Sequence, residues 1–324
     1  MIHPDVTIVI AAWNAEATLG RAIDSALSQQ GVAVEVLVID DASSDGTAAL
    51  AERRAGPDGR LRLLRMPRNG GPAAARNMAL TAARAAWIAP LDADDMMEPE
   101  RIRRLLDIAS DEDADMVADD LWRQEEADRD GRTRCRLFSD APIGRVRLDA
   151  ASFVSGNLSS RHGGRRELGF VKPLMRKDFL DRHGLRYPDL RLGEDYALYT
   201  RALLLGARFV LTDPAGYVAI VREGSLSGRH PTEVHGALAA EDRALLAMPQ
   251  ATGQARRVLR AHLREVQKEW AWRRMIDAVR GRDPLAAARC LAGPPAVSAD
   301  LVARLGREAM GRMRARVAGR PAGN

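Results

Sequence analysis

The sequence predicts an α/β fold in which a mostly parallel sheet is covered by helices, with a purely helical region after it. Three features carry this expectation. Short β-branched apolar runs without polar alternation recur between stretches of helical spacing, the pattern of strands buried on both faces. These runs end in polar clusters, Trp13/Asn14, Asp40/Asp41 and Asp92/Asp94/Asp95, where parallel sheets bind ligands. Beyond Pro231 the strand signals stop and only helical spacing remains. The 324 residues allow one large or two modest domains, and the change of pattern divides them into 1–230 and 231–324.

Val6 to Ala11 reads as the first strand. Leu19, Ile23, Ala26 and Leu27 then recur at spacings of three and four, a helix with Gly31 just past its end. Val34 to Ile39 is a second strand, and the polar run Asp40 to Gly46 is a loop and N-cap for a helix over Thr47 to Arg54. Leu61 to Leu64 is a third strand, residues 69–76 turn into another helix, and Trp87 to Leu91 is a fourth strand. Strands alternating with helices imply right-handed crossovers. Residues 119–166 are polar and weakly periodic, and read as loops and short strands. A helix is expected over Leu192 to Leu205, with strands at Phe209 to Leu211 and Tyr217 to Val221. In the last third, Leu259, Leu263, Val266 and Trp270 share one helical face, with arginines elsewhere around the helix. Gly281 and Pro284 interrupt that helix, a second basic helix runs from Leu301 to about Val317, and Ala318 to Asn324 reads as a frayed tail.

Composition excludes several classes. Hydrophobic residues at 46% and charged residues at 29% are ordinary for a globular chain and argue against wholesale disorder. No apolar run approaches the ~18–20 residues that span a bilayer. Cys135 and Cys290 form neither a disulfide framework nor a metal knuckle, and the first ten residues lack a signal-peptide pattern, so a reducing, cytoplasmic setting is expected. Residues 231–324 hold 17 Lys+Arg against 9 Asp+Glu, a net of +8 that leaves 1–230 at −3. With aromatics at 4% and no basic run interleaved with them, nucleic acid is not the expected partner. The basic helices, with Trp270 and Trp272, fit either peripheral contact with an anionic membrane leaflet or docking of the apolar stripe onto the first domain.

Each candidate site residue has two readings. Asp92, Asp94 and Asp95, with no lysine beside them in the sequence, repel one another unless a cation binds; alternatively Asp95 caps a helix beginning near Met96. Asp40 and Asp41 either serve turn and cap chemistry or accept hydrogen bonds from a ribose or base. Trp13 fills the core or stacks on a nucleobase. Arg76, inside the alanine-rich helix start after Gly70-Gly71, reaches a phosphate or offsets the aspartates. Glu194 and Asp195 open a helix, where its dipole favours acids.

Taken together these motifs are far more specific than any one of them. The series 6–14, 36–47, Arg68-Asn-Gly-Gly-Pro-Ala-Ala-Ala-Arg-Asn77, Leu91-Asp-Ala-Asp-Asp95 and Gly193-Glu-Asp195 resembles glycosyltransferase family 2, the inverting GT-A enzymes, in order and spacing over roughly residues 5 to 230. The segments Gly169 to Leu174, Leu185 to Tyr187, Leu190 to Tyr196 and Ser225 to His230 are similar to the succinoglycan (exopolysaccharide) glucosyltransferases of the ExoO type. The resemblance implies a GT-A, or nucleotide-diphospho-sugar transferase, fold followed by a helical C-terminal region. It implies nucleotide contacts at Ala11, Trp13, Asp41, Arg76 and Asp92, with Trp13 standing where the family usually has a tyrosine. Asp92 and Asp94 match the DxD motif, with Asp94 toward a diphosphate-bound metal, Mn²⁺ or Mg²⁺, and Asp195 matches the catalytic base. Glu194, Arg222 and His230 are acceptor or diphosphate candidates; many members carry a histidine where this chain has Arg222, which cannot ligate metal.

The implied activity is transfer of a hexose, glucose from UDP-glucose, to a lipid-linked oligosaccharide in exopolysaccharide assembly at the inner face of the cytoplasmic membrane. The alternatives are transfer of another donor sugar into an O-antigen or capsule, and a nucleotide- or glycan-binding module in which Asp195 would be dispensable. A sugar nucleotidyltransferase would carry a glycine- and arginine-rich loop after the first strand, where this chain has Ala11-Ala12-Trp13-Asn14.

Overall fold

The computed structural model describes residues 3–56, 59–128, 130–159, 167–222 and 231–317. The first half alternates strand and helix as expected: β1 (Val6–Ala12), α1 (Leu19–Leu27), β2 (Val34–Asp40), α2 (Thr47–Arg54), β3 (Leu61–Arg65), α3 (Gly71–Ala82) and β4 (Trp87–Pro90). Then come β5 (Met96–Met97), α4 (Arg101–Asp111), β6 (Met116–Asp119), β7 (Trp122–Glu125), β8 (Cys135–Arg136), β9 (Val146–Leu148) and α5 (Ala150–Ser155). The chain continues through β10 (Leu174–Arg176), α6 (Lys177–Arg182), α7 (Glu194–Leu204), β11 (Phe209–Thr212) and β12 (Tyr217–Val221). The last third is helical: α8 (Thr232–Ala247), α9 (Gly253–Arg280), α10 (Pro284–Leu291) and α11 (Pro295–Val317).

The main sheet has the order β3-β2-β1-β4-β10-β6-β11-β9. Its first four strands are parallel; β10 runs antiparallel to both β4 and β6, and β9 antiparallel to β11. A smaller sheet, β5-β12-β7-β8, lies beyond the carboxyl ends of the central strands. Strand alternation sends Ile8, Ile10, Val36 and Val38 into one apolar cluster and Val9, Leu37 and Ile39 into another, so both faces of the sheet are covered. That is why these strands read as unbroken apolar runs.

Two expectations change. Asp95 does not cap a helix, because Met96 and Met97 pair with β12 instead and α4 starts only at Arg101. Residues 119–166 contain a helix, α5, closed by a capping box between Asp149 and Ser152.

The helical region does not stand apart from the sheet. Leu238, Leu245, Val258 and Leu259 belong to the same apolar cluster as Phe153, Tyr196 and Tyr199, with Val266 packed against it. Trp270 lies over Gly236, where an added Cβ would sit 3.0 Å from the indole. The stripe on α9 is therefore the docking face of that helix. Farther along, Met275, Cys290 and Leu301 form a separate small cluster with Trp272 and Leu305. Exposed apolar side chains gather on these last helices: Leu285, Val302, Met310 and Met313. Among the described residues, no helix is long and apolar enough to cross a membrane.

Candidate active site

The loops after β1 and β2 are stitched to each other by short-range polar bonds. Asn14 donates its amide to Ser43 Oγ (3.0 Å) and accepts Ser44 N–H at Oδ1 (2.9 Å); Ala15 N–H reaches Thr47 Oγ1 (2.8 Å). Trp13 rides on this platform with 54% of its surface exposed, which removes the core-filling reading and leaves an open indole face beside β2. Ala11, half-buried near the end of β1, pairs with Ile39. Asp40 steadies the loop through Ser43 N–H (3.3 Å).

Asp41 is buried and accepts the amides of Gly70 (2.7 Å) and Gly71 (2.8 Å), so it anchors the start of α3 rather than the helix that directly follows it. A carboxylate has about four lone-pair sites, and these bonds occupy two of them.

The decisive arrangement is an ion-pair network between the end of β4 and the start of α7. Arg76 on α3 is buried and donates to Asp92 Oδ1 (2.9 Å), Glu194 Oε1 (2.9 Å) and Asp195 Oδ1 (3.4 Å), with its guanidinium 5.4 Å from the Tyr187 ring. The reading in which it offsets the aspartates is met by these ion pairs. Lys172 Nζ lies 2.8 Å from Asp195 Oδ2 and 3.0 Å from Asp92 Oδ2. The acidic motif thus has a lysine beside it after all, brought from a distant segment. Burial alone would raise the Asp92 carboxyl, but Lys172 and Arg76 overcome it and hold that group at about 2. Burial would likewise lower the Lys172 ammonium, yet Asp195 and Asp92 push it above the usual lysine value.

Gly193 permits this geometry. It adopts φ +80°, and a Cβ there would meet Leu238 on α8 at 2.9 Å, so glycine is needed both for the turn and for the close approach of α8. Asp195 then enters α7 beside Tyr199, whose hydroxyl donates to Oδ1 at 3.4 Å.

Among the described residues, Asp94 and Asp95 have no such cations at hydrogen-bond range. Partial enclosure and the neighbouring Asp92 raise the Asp94 carboxyl, with Arg222 the main opposing charge. Burial, then Asp92 and Asp94, push Asp95 up to about 7, against bonds from Ile220 N–H (2.9 Å) and Tyr217 Oη (2.8 Å). Tyr217 also accepts the Asp92 amide (3.2 Å). Arg222, at the end of β12, donates to Glu126 (2.9 Å), and its second guanidinium nitrogen is buried without a partner among the described residues. His230, with Ser225 and Ser227, lies outside the described residues.

One further group ties these parts together. Arg101 and Asp119 are both fully buried and bonded at 2.7 Å. Arg101 also donates to the Lys172 carbonyl (2.6 Å) and lies 5.0 Å from the Tyr217 ring, while Asp119 accepts the amides of Ala215, Gly216 and Tyr217.

Sequence reasoning missed Lys172, Tyr217 and Arg101. For Lys172 a signal existed: the chain has three lysines among 49 Lys+Arg, and this one interrupts the apolar run Phe170 to Leu174. A lysine in an arginine-dominated chain points to a need for a compact point charge.

Residues 7–162 match the family model described as Glycosyl transferase family 2. The succinoglycan biosynthesis protein ExoU of Rhizobium meliloti (strain 1021) is 43% identical over 274 residues, covering 84% of this chain and 78% of that protein. The chain belongs to glycosyltransferase family 2. ExoO of the same strain, also a succinoglycan biosynthesis protein, is 38% identical over 310 residues, 94% of this chain and 87% of its own. Among solved structures, S. aureus TarS 1–349 in complex with UDP-GlcNAc aligns with TM-score 0.63 at 18% identity, covering 92% of this chain and 84% of TarS 1–349. The mannosyltransferase PcManGT from Pyrobaculum calidifontis, in complex with GDP-Man and Mn²⁺, aligns with TM-score 0.57 at 18% identity, covering 94% and 86%. The fold is GT-A, and the protein is a glycosyltransferase of this family, as its motifs implied.

Proposed function

We propose that this enzyme moves glucose from UDP-glucose onto a lipid-linked oligosaccharide during assembly of a succinoglycan-like exopolysaccharide, with inversion at the anomeric carbon. The names of ExoU and ExoO, which match over most of the chain, support the polysaccharide. The UDP-GlcNAc held by TarS supports a UDP-sugar donor. The observation that carries the chemistry is the pair of carboxylates, Asp92 and Asp195, bridged by Lys172 and Arg76 at one cavity.

In this reading Trp13 stacks on uracil, Asp41 accepts a base N–H through its remaining lone pairs, Ala11 lies beside the nucleotide, and Asp92 lies by the ribose. Asp195 takes the proton of the acceptor hydroxyl while that oxygen bonds to the anomeric carbon opposite the diphosphate, and the bond to UDP breaks. Positioned general-base assistance is worth about 10² to 10⁴ in rate. Arg222 faces the diphosphate, Glu194 the acceptor, and His230 remains a candidate for either.

No group of three His, Cys, Asp or Glu side chains among the described residues forms a ready-made metal cage. A divalent ion that leans on substrate phosphates needs only one or two protein carboxylates. Asp94, crowded by Asp92 and without an ion pair among the described residues, fits that need, whereas a cation already sits against each oxygen of Asp92. A bound Mg²⁺ or Mn²⁺ would supply Lewis-acid stabilisation of the departing diphosphate. UDP binding should therefore require a divalent cation and fall at least tenfold in Asp94→Ala; calorimetry with and without chelator decides, and equal affinities would remove the metal.

The donor is tested with UDP-, GDP- and dTDP-sugars plus Mn²⁺ or Mg²⁺, scoring hydrolysis. UDP-glucose should turn over fastest, and a GDP- or dTDP-sugar preference would overturn the assignment. Peripheral contact with an anionic inner leaflet rests on the net +8 of residues 231–324 and on the exposed apolar side chains of α10 and α11, since the stripe on α9 is docked. Basic residues near such a surface contribute roughly 1 kcal/mol each. Vesicle flotation should show binding to anionic but not neutral lipid that weakens with salt; indifference to lipid charge would reject it.

A further inference from the structure

A cavity of ≈520 Å³ opens at Asp92, Lys172 and Asp195 and is lined on its far side by His262, Glu265 and Glu269 of α9. The catalytic ion pairs and the C-terminal helix thus face one space.

The His262 wall is built with unusual care. Asp242 on α8 is fully buried, and no arginine or lysine pairs with it among the described residues. Its Oδ1 accepts Tyr196 Oη at 3.1 Å, and its Oδ2 lies 2.8 Å from His262 Nδ1. A buried carboxylate is costly unless its hydrogen bonds are satisfied, so this arrangement demands a reason. A carboxylate at Nδ1 places the imidazole proton there and leaves Nε2 of the neutral ring as an acceptor. The ring is also stacked on Tyr196, with centroids 4.3 Å apart and planes at 26°. Both its tautomer and its plane are therefore fixed by neighbours. Tyr196 directly follows Asp195 on α7, so the imidazole is fixed relative to the catalytic carboxylate. His262 Nε2 has no hydrogen-bond partner among the described residues, and the ring borders the cavity.

The remaining wall suits a particular chemistry. Glu265 and Glu269 supply carboxylates, Arg191 and Arg273 supply donors, and Phe170 presents an aromatic face with 48% of its surface exposed. Hydroxyl groups need donors and acceptors in mixture, and the C–H face of a pyranose needs an apolar plane. A nucleotide diphosphate would call for unopposed positive charge, whereas here Arg76, Lys172 and Arg273 are each paired with a carboxylate. We propose that this cavity is the site for the terminal hexopyranose of the acceptor, and that His262, oriented by Asp242, accepts a hydrogen bond from one of its hydroxyls. The assignment rests on the transferase reading above and deepens it: the helical region after the sheet completes the acceptor site.

The test uses octyl β-D-glucopyranoside and octyl β-D-galactopyranoside as probes with the full chain, in the presence and absence of UDP. Binding is followed by saturation-transfer NMR and through the imidazole nitrogen resonances, with His262 assigned by comparison with His262→Gln. At least one glycoside should bind the wild-type protein and shift the His262 Nε2 resonance. Its affinity should fall tenfold or more in His262→Gln and severalfold in Asp242→Asn. Because either change could weaken the packing of α8 on α9, Phe170→Ala at the exposed lip is measured alongside and should also weaken binding severalfold while melting as wild type does. Absence of glycoside binding to wild type, an unmoved His262 resonance, or wild-type affinity in His262→Gln would each overturn the proposal. UDP titrations run in parallel keep the two readings separate: failure to bind UDP counts against the donor assignment, whereas UDP binding without glycoside binding counts against the acceptor site.

Discussion

The proposed donor side and the proposed acceptor side of this site are built on different scales. Around Trp13 and Asp41, hydrogen bonds join neighbouring strand ends, with partners 29 residues apart for Asn14–Ser43 and Asp41–Gly70. Around Asp195, Arg76 reaches across the chain, meeting Asp195 from 119 residues away and Glu194 from 118, while Lys172 comes from 23. The first side is backbone amides and small polar groups at the mouths of parallel strands. The second is charge against charge in a buried space. Local construction tolerates loss of one partner because others hold the loop, whereas a buried ion network loses its balance when one charge goes.

The comparison can be broken most directly at Asp195. Asp195→Asn keeps the shape and most hydrogen bonds but cannot take a proton, so sugar transfer should fall by about 10² to 10⁴ with UDP affinity near wild type. Transfer at the wild-type rate would move the role to Glu194, the next residue to change. Lys172→Met comes next. Removing one partner of a buried pair typically costs about 3–5 kcal/mol, and here two carboxylates lose their shared cation. Urea unfolding should register a loss of that order, and an unchanged midpoint would mean the acceptor side does not depend on its ion pairs. On the donor side, Trp13→Ala should leave stability nearly untouched, since the indole is 54% exposed, and weaken UDP binding by roughly 1–3 kcal/mol, the usual contribution of stacking one base. Calorimetry with UDP settles it; wild-type affinity would show that the base does not stack there.

The same contrast explains what could be read from the sequence. The first, second and fourth strands were legible because strands buried on both faces leave unbroken apolar runs, and their polar ends marked the positions of Asp41, Asp92 and Asp94. The position of Asp195 at the start of α7 was legible through the Gly193 turn. Lys172 was not, because its meaning lies in two carboxylates contributed by other elements. Asp95 misled for a related reason: its Met96-Met97-Glu98-Pro99 sequel resembles a helix start, yet pairing with β12 overrode the local preference. The α5 helix was hidden because its capping box uses Ser152 at the third position, where glutamate or glutamine is the stronger signal. The Asp242–His262 pair carries no motif at all; each residue looks like part of an ordinary solvated helix until α8 and α9 are laid together.

Arg101 gives the whole arrangement a further property. Fully buried, it touches the strand-end aspartate Asp119, the backbone of Lys172 and the ring of Tyr217, and so meets both a residue bonded to the acidic motif and the residue paired with Asp195. Neither half can shift its charges without disturbing this shared strut. Dipoles and ions that are already aimed before a substrate arrives need little reorganisation as charge develops during reaction. The energetic cost of crowding these groups is thus incurred once, when the chain folds, and does not recur in each catalytic cycle.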